Sequence, residues 1–213
     1  MERTNVSTEI YIRIQKNKEG GAFVASDFLD MGEYKAVSKA LERLEDEHKI
    51  RRIIRGVYDC PHYSKLLEEY EAPSPHYVAL AIARNNNWTI APNGNTALNQ
   101  LGLSTQVTAN WSYITNGPYK KYLLNGQAIE FKHRNNKEIS GKSYKTALVI
   151  QALKELGEKF VTEKHIKIIR RGLTDMEKKV LLREGQQTTT WIYSVIKKIC
   201  ERQGDYVRNS KTS

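Results

Sequence analysis

The chain has 213 residues, of which 39% are hydrophobic and 27% charged, and its formal net charge is +10. No apolar run approaches the roughly 20 residues that a membrane span needs, and no signal-peptide core is present, so a cytoplasmic protein without a membrane partner is expected. Its two cysteines, Cys60 and Cys200, match no metal-ligand spacing and are expected to be reduced.

Two helices and a turn are predicted in the first part of the chain. The first helix covers residues 5–15. A second, shorter helix covers residues 27–31, because Ser26 and Asp27 can cap and charge its start. Gly32 then permits a tight turn.

A longer helix is predicted for residues 33–47. Its apolar side chains recur at steps of three and four residues and predict one buried stripe, formed by Tyr34, Val37, Leu41 and Leu44. The other face is polar, and it carries Lys35, Ser38, Lys39, Glu42, Arg43 and Asp46.

A β-hairpin is predicted after this helix. Residues 49–55 and 57–58 are two short β-rich runs, joined by a turn-forming Arg-Gly pair. Residues 22–24 can add a third strand. Helix, turn, helix and hairpin in this order predict a winged helix-turn-helix.

This N-terminal unit has the charges that DNA binding requires. A groove-reading helix needs donors and cations in its N-terminal half, and a wing needs cations that neutralise phosphate. The predicted DNA-binding residues are Tyr34, Lys35, Ser38, Lys39, Arg43, Lys49, Arg51, Arg52 and Arg55. The alternative is a non-enzymatic protein–protein adaptor that uses the helix-turn-helix to dock a partner.

A domain boundary is predicted at residues 72–75, where two prolines disfavour regular structure. Residues 63–70, just before it, are predicted to be helical. The expected organisation is a DNA-binding domain over residues 1–72 and a C-terminal domain over residues 73–205, with a flexible tail at 206–213.

The C-terminal domain is predicted to be mixed α/β and to end in helices, which makes the fold class α+β. Helices are expected at residues 76–85 and 96–101, and strands at 89–91, 112–115, 122–124 and 128–132, with Asn125-Gly126 as a hairpin turn. Further helices are expected from Tyr144 to Gly157, over residues 162–171, from the capping box of Thr174 and Glu177 to Gly185, and around Trp191 to Ile199.

Most of the excess positive charge lies near the C-terminus. Residues 135–213 hold 17 Lys and Arg against nine Asp and Glu, a net charge of +8. On a helix, Lys164, Lys167 and Arg171 share one face, and Ile166 and Ile169 lie opposite. The predicted partner-binding residues are Lys164, Lys167, Arg170 and Arg171, which suit an acidic protein surface or RNA; the alternative is a solvated helix face.

No catalytic residue, metal ligand or cofactor is predicted, and the chain is not expected to be an enzyme. Neither Asp nor Glu occurs between Glu71 and Glu130, whereas paired carboxylates and hard-metal sites need such acids. Glu130-Phe131-Lys132 matches the end of a metal-nuclease strand but lacks the upstream acid. We expect Glu130 and Lys132 on the solvent face, with Ile129 and Phe131 inward.

Two sets of residues resemble AbiEi-type antitoxin regulators, the transcriptional repressors of type IV toxin–antitoxin systems. The first set is Phe28, Ala36-Val37, Ala40-Leu41-Glu42-Arg43-Leu44, Ile50, Arg52-Ile53 and Arg55-Gly56-Val57-Tyr58. The second set is Ala91-Pro92-Asn93-Gly94, Ala97-Leu98-Asn99, Leu101-Gly102-Leu103-Ser104 and Tyr113-Ile114-Thr115-Asn116-Gly117. Together they cover roughly residues 8–200.

The resemblance implies a bacterial two-domain protein. Its winged helix would bind double-stranded DNA at its own promoter, and its C-terminal domain would counteract a nucleotidyltransferase-type toxin. The expected partner of that domain is the toxin or the toxin's RNA substrate. The resemblance implies that the long helix and the wing contact DNA. The residues concerned are Tyr34, Lys35, Ser38, Lys39, Arg51, Arg52 and Arg55.

Overall fold

A computed structural model describes residues 5–16, 21–106, 109–134 and 139–201. The described part is an α+β protein with eight α-helices and three small sheets, which confirms the α+β part of the predicted fold class. Its contacts form two units, Met1–Thr89 with Lys121–Ile129, and Ile90–Lys120 with Glu130–Ser213. None of the described helices is long and apolar enough to cross a membrane.

The first unit begins with helix α1 (Val6–Lys16), which confirms the first predicted helix. The second predicted helix is wrong in type and position, because a 3-10 turn lies at Ala25–Phe28 instead. Ser26 does not cap it. The cap comes from the Asp27 carboxylate, whose Oδ2 accepts a hydrogen bond from the Val24 amide at 3.0 Å.

Helix α2 (Tyr34–Asp46) confirms the long predicted helix. Its buried stripe consists of Val37, Ala40, Leu41 and Leu44. Tyr34 was expected in this stripe, but it is 62% exposed. It is the first residue of the helix, and helical side chains point towards the N-terminus, so its ring extends beyond the core.

Three antiparallel strands close the core around α1 and α2. They are β1 (Ala22–Phe23), β2 (Arg51–Ile54) and β3 (Val57–Asp59), in the order β1-β3-β2. Gly56 makes the β2–β3 turn with a φ of +79°, a value that glycine adopts without strain. The predicted hairpin and third strand are therefore confirmed.

The helix predicted for residues 63–70 is absent, because a small hairpin of β4 (Tyr63–Ser64) and β5 (Glu69–Tyr70) lies there. The rings of Tyr63 and Tyr70 meet edge to face across it, with centroids 5.3 Å apart. Leu66, at its tip, is 92% exposed. A helix at these residues would have no core against which to pack its apolar face. The aromatic pair across the two strands therefore determines the local structure.

Helix α3 (Pro75–Asn85) follows, with a proline at its first position. Pro75 fits there because its missing amide would have no partner within the helix. The helix packs on β1, on β3 and on the 3-10 turn, and therefore belongs to the first unit. The contacts divide the chain after Thr89, whereas the predicted boundary was placed at residues 72–75.

A four-stranded sheet lies in the middle of the chain, in the order β6-β7-β9-β8. Its strands are β6 (Ile90–Pro92), β7 (Asn110–Thr115), β8 (Lys120–Leu124) and β9 (Gln127–His133). Ile129 and Phe131 are fully buried, as predicted, and Glu130 and Lys132 alternate with them. Asn125 and Gly126 both have positive φ, as the predicted hairpin turn requires.

Helix α4 (Asn95–Gln100) does not begin as predicted. It was predicted to cover residues 96–101, but it begins one residue earlier, and Gly94 occupies the cap position. The Thr96 side chain is buried, and its Oγ1 accepts a hydrogen bond from the Ser112 amide at 2.8 Å. This bond ties the start of α4 to strand β7.

Four helices complete the second unit. They are α5 (Tyr144–Leu156), α6 (Glu163–Arg171), α7 (Asp175–Glu184) and α8 (Thr190–Cys200). Their apolar faces meet in one core, which contains Val149, Ile150, Leu153, Ile166, Ile169, Leu173, Leu181, Ile192, Ile196 and Ile199. All four helices were predicted from this periodicity and from their caps.

The capping box that begins α7 can be tested by mutation. Thr174 Oγ1 accepts from the Glu177 amide at 3.2 Å, and Glu177 Oε2 accepts from the Thr174 amide at 2.8 Å. We expect Thr174→Ala to cost about 1 kcal/mol, because it leaves a helix amide without its acceptor. Faster amide hydrogen exchange in α7 would measure the loss. Glu177→Gln keeps an acceptor oxygen and should lose less; unchanged exchange in Thr174→Ala would show that the box is dispensable.

Candidate nucleic-acid interface and cationic cleft

A row of cations runs along the exposed side of α2. Lys35, Lys39 and Arg43 follow one another at every fourth position, so they lie on one side of the helix, and all three are exposed. None forms an ion pair with a residue that the structure describes. Like charges at this spacing cost roughly 0.2–0.5 kcal/mol per pair, so helix stability does not explain the row.

The charge of this helix changes sign along its length. Lys35 and Lys39 lie in the first two turns, whereas the exposed acids Glu42 and Asp46 lie in the last two, next to Arg43. The positive end is thus also the N-terminal end, where the helix dipole is positive. Tyr34 is exposed at this end, and Ser38 is partly exposed one turn further on.

Arg51, a predicted DNA-binding residue, is half-buried and pairs with a buried carboxylate. Its Nε and Nη2 bind Oδ1 and Oδ2 of Asp59 at 3.0 and 2.5 Å, and Nη2 also donates to the carbonyl of Glu71 at 3.1 Å. Asp59 is only 4% exposed. Hydrogen bonding to this carboxylate raises the pKa of Arg51. The guanidinium therefore holds β2 to β3.

Two further predicted DNA-binding cations, Arg52 and Lys49, are also paired. Arg52 binds Glu45 Oε2 through Nε at 2.8 Å, and its guanidinium lies over the Tyr58 ring. Lys49 Nζ lies 2.7 Å from Glu47 Oε2 and 5.4 Å from the centroid of the Tyr11 ring. These pairs lie nearer the surface and can exchange their partners for phosphate more readily than Arg51 can.

Arg55 remains at the tip of the hairpin, exposed and without an ion pair to any described residue. Of the predicted DNA-binding cations, those that are free to meet an anion are therefore Lys35, Lys39, Arg43 and Arg55. Sequence reasoning could not separate them from Arg51, because that pairing depends on the Arg51–Asp59 strand register.

The second unit presents the predicted basic face of α6. Lys164, Lys167 and Arg171 are exposed, and Ile166 and Ile169 are buried on the other side. The fourth predicted residue has a structural role. Arg170 Nε donates to the carbonyl of Ile199 at 3.0 Å and Nη2 donates to that of Lys198, so the guanidinium caps the last turn of α8.

Helices α6 and α7 and the end of α8 enclose a cavity of about 670 Å³, which we call the cationic cleft. Its cations are Lys167, Arg170, Arg171, Lys178 and Lys179, and its acids are Asp175 and Glu201. Leu173, Leu182 and Cys200 supply apolar wall. Lys178 and Lys179 were not predicted. Their adjacent positions on an amphipathic helix were the available signal, but only the packing of both α6 and α7 on α8 groups them with Lys167.

Cys200 lines the cationic cleft with its thiol group. Burial raises its pKa to about 11, although the nearby charges of Lys178 and Arg170 act in the opposite direction. Its Sγ donates to the Lys178 carbonyl at 3.5 Å. Burial also raises the pKa of Cys60. Cys200 therefore contributes a neutral wall rather than a thiolate.

The buried polar residues of the second unit form a structural network. Tyr144 Oη donates to Gln100 Oε1 at 2.8 Å, and burial raises the pKa of both Tyr144 and Tyr113.

Among residues 5–16, 21–106, 109–134 and 139–201, no three His, Cys, Asp or Glu side chains are grouped to hold a metal ion.

Comparison with known proteins gives one match. No curated protein and no solved structure matches the chain. One family model, described as a family of unknown function, matches residues 9–181, which run from α1 into α7 and cover well over half of the sequence. The chain therefore belongs to the family of unknown function DUF6088.

Proposed function

We propose that the chain is a DNA-binding transcriptional regulator whose winged helix-turn-helix consists of α1, the 3-10 turn, α2 and the β2–β3 hairpin. The N-terminal half of α2 enters the major groove, and Arg55 contacts the phosphate backbone beside it. The observation that carries this proposal is the row of Lys35, Lys39 and Arg43, three exposed cations without ion pairs to described residues.

The rigidity of α2 supports this role. Val37, Leu41 and Leu44 anchor it in the core, so its outer side is held in one orientation. The Arg51–Asp59 pair holds the hairpin in the same way. A reading helix and a wing need such fixed supports, because a misplaced side chain loses its base or phosphate contact.

We propose further that this regulator is the antitoxin of a toxin–antitoxin operon. The support is the resemblance of both units to AbiEi-type regulators. DNA binding at its own promoter would give autorepression, and the second unit would counteract a nucleotidyltransferase-type toxin. The competing proposal is a protein–protein adaptor that uses the same helix face to dock an acidic partner.

The test uses the full-length protein and two duplexes of equal length and composition. One contains the DNA immediately upstream of the protein's own coding sequence, and the other is its shuffled counterpart. We expect tighter binding to the upstream duplex. With about four phosphate contacts, log affinity should fall against log salt with a slope of about −3 to −4.

Fluorescence anisotropy over a salt series measures both quantities. Equal affinity for the two duplexes would contradict a sequence-specific regulator. Absence of binding even at low salt would contradict DNA binding altogether and favour the adaptor. Growth rescue on co-expression with the product of the neighbouring gene tests the antitoxin proposal separately.

A further inference from the structure

The cationic cleft concentrates positive charge to a degree that the surrounding protein does not neutralise. Five cations and two carboxylates line it, a net formal charge of +3. Lys178 is paired with Asp175 at 3.4 Å, and Arg170 caps α8. The other three, Lys167, Arg171 and Lys179, have no ion pair with a described residue.

Contacts with the protein fix the positions of the other two cleft cations, Arg170 and Lys178. Arg170 is fixed by the carbonyls of Ile199 and Lys198, and the Lys178 side chain is only 23% exposed. Their charges therefore stay at the wall of the cleft. A concave site focuses the field of such charges and attracts a counter-ion more strongly than a flat surface does.

The shape of the cleft favours a compact ligand. At about 670 Å³ it has the size of a small-molecule site. Arg171 can bind two oxygens of one phosphate group through its planar fork, and Lys167 and Lys179 can act as point charges on neighbouring groups. Leu173, Leu182 and the neutral Cys200 thiol can contact an uncharged part of the ligand.

We propose that the cationic cleft binds the di- or triphosphate group of a nucleotide, with the phosphates on Lys167, Arg171 and Lys179 and the organic part against Leu173 and Leu182. This site is separate from the α2 surface and does not depend on the proposed DNA binding. The same phosphate chemistry occurs in a free nucleoside triphosphate and at the 5′ end of a triphosphorylated RNA.

Isothermal titration calorimetry of the full-length protein tests the site with inorganic tripolyphosphate, ATP and sulfate. We expect tripolyphosphate and ATP to bind and sulfate to bind at least about tenfold more weakly, because sulfate spans one phosphate position only. Equal binding of sulfate and tripolyphosphate would overturn the proposal, since it would show that the cleft holds only one phosphate-sized anion.

Matched variants locate the site. Lys167→Gln with Lys179→Gln should weaken tripolyphosphate binding by at least about tenfold, because two charge-assisted contacts are lost. The control, Lys120→Gln with Lys159→Gln, makes the same change in net charge at exposed lysines outside the cleft and should change the Kd less than about twofold. An equal loss in both variants, at unchanged circular dichroism and Tm, would overturn the assignment.

The source of the phosphate group is distinguished with two oligonucleotides of one sequence. Binding of ATP as tight as that of 5′-triphosphorylated RNA indicates a free nucleotide, and tighter binding of the RNA indicates its 5′ end; both support the cleft. Binding of the 5′-hydroxyl RNA as tight as that of the triphosphorylated RNA would overturn the proposal, because the phosphodiester backbone would then be the ligand.

Discussion

Replacing Lys35 and Lys39 together by glutamate should raise the Kd for the upstream duplex at least about 100-fold, or roughly 2.7 kcal/mol. Both side chains are exposed in the first two turns of α2 and have no ion pair with a described residue. The substitution removes two attractions and introduces two repulsions with phosphate. Anisotropy of the full-length variant measures it.

This loss should not arise from unfolding. Glutamate near a helix N-terminus interacts favourably with the helix dipole, so α2 should be at least as stable in the variant. The matched control, Lys120→Glu with Lys159→Glu, makes the same charge change at exposed lysines of the second unit. DNA affinity of the α2 variant within about threefold of wild type would refute a role for α2 in DNA binding.

Arg51→Met should destabilise the β2–β3 hairpin by about 3 kcal/mol, because it leaves the Asp59 carboxylate buried without a counter-charge. Hydrogen exchange of the hairpin amides should then be about 100-fold faster. Arg51→Met with Asp59→Leu should recover most of the loss, since neither charge then remains in the interior.

Arg55→Met is the matched control for this prediction. Arg55 is exposed at the hairpin tip, so its loss should leave exchange unchanged and weaken binding to both duplexes by similar factors. If Arg51→Met left exchange unchanged and weakened DNA binding more than Arg55→Met did, Arg51 would be a DNA contact and its pairing with Asp59 would be secondary.

Features that depend on neighbouring residues could be predicted from the sequence. The stripe of Val37, Leu41 and Leu44 predicted α2, the Asn125-Gly126 pair predicted the β8–β9 turn, and the capping box of Thr174 predicted the start of α7. In each case the determining interactions join residues that are close together in the sequence. Local periodicity and capping residues are therefore enough to predict these elements.

Features that depend on distant contacts were decided only by the tertiary structure. Residues 63–70 form a hairpin because the Tyr63 and Tyr70 rings meet and no core covers Leu66. The strand register commits Arg51 to Asp59, whereas Lys35 and Lys39 remain free of such pairs among the described residues. The sequence shows which cations the chain has and how they are spaced. The packing of distant elements determines which of them are neutralised and which meet in one cleft. The reason is that an ion pair or a cavity requires residues that only the folded chain brings together.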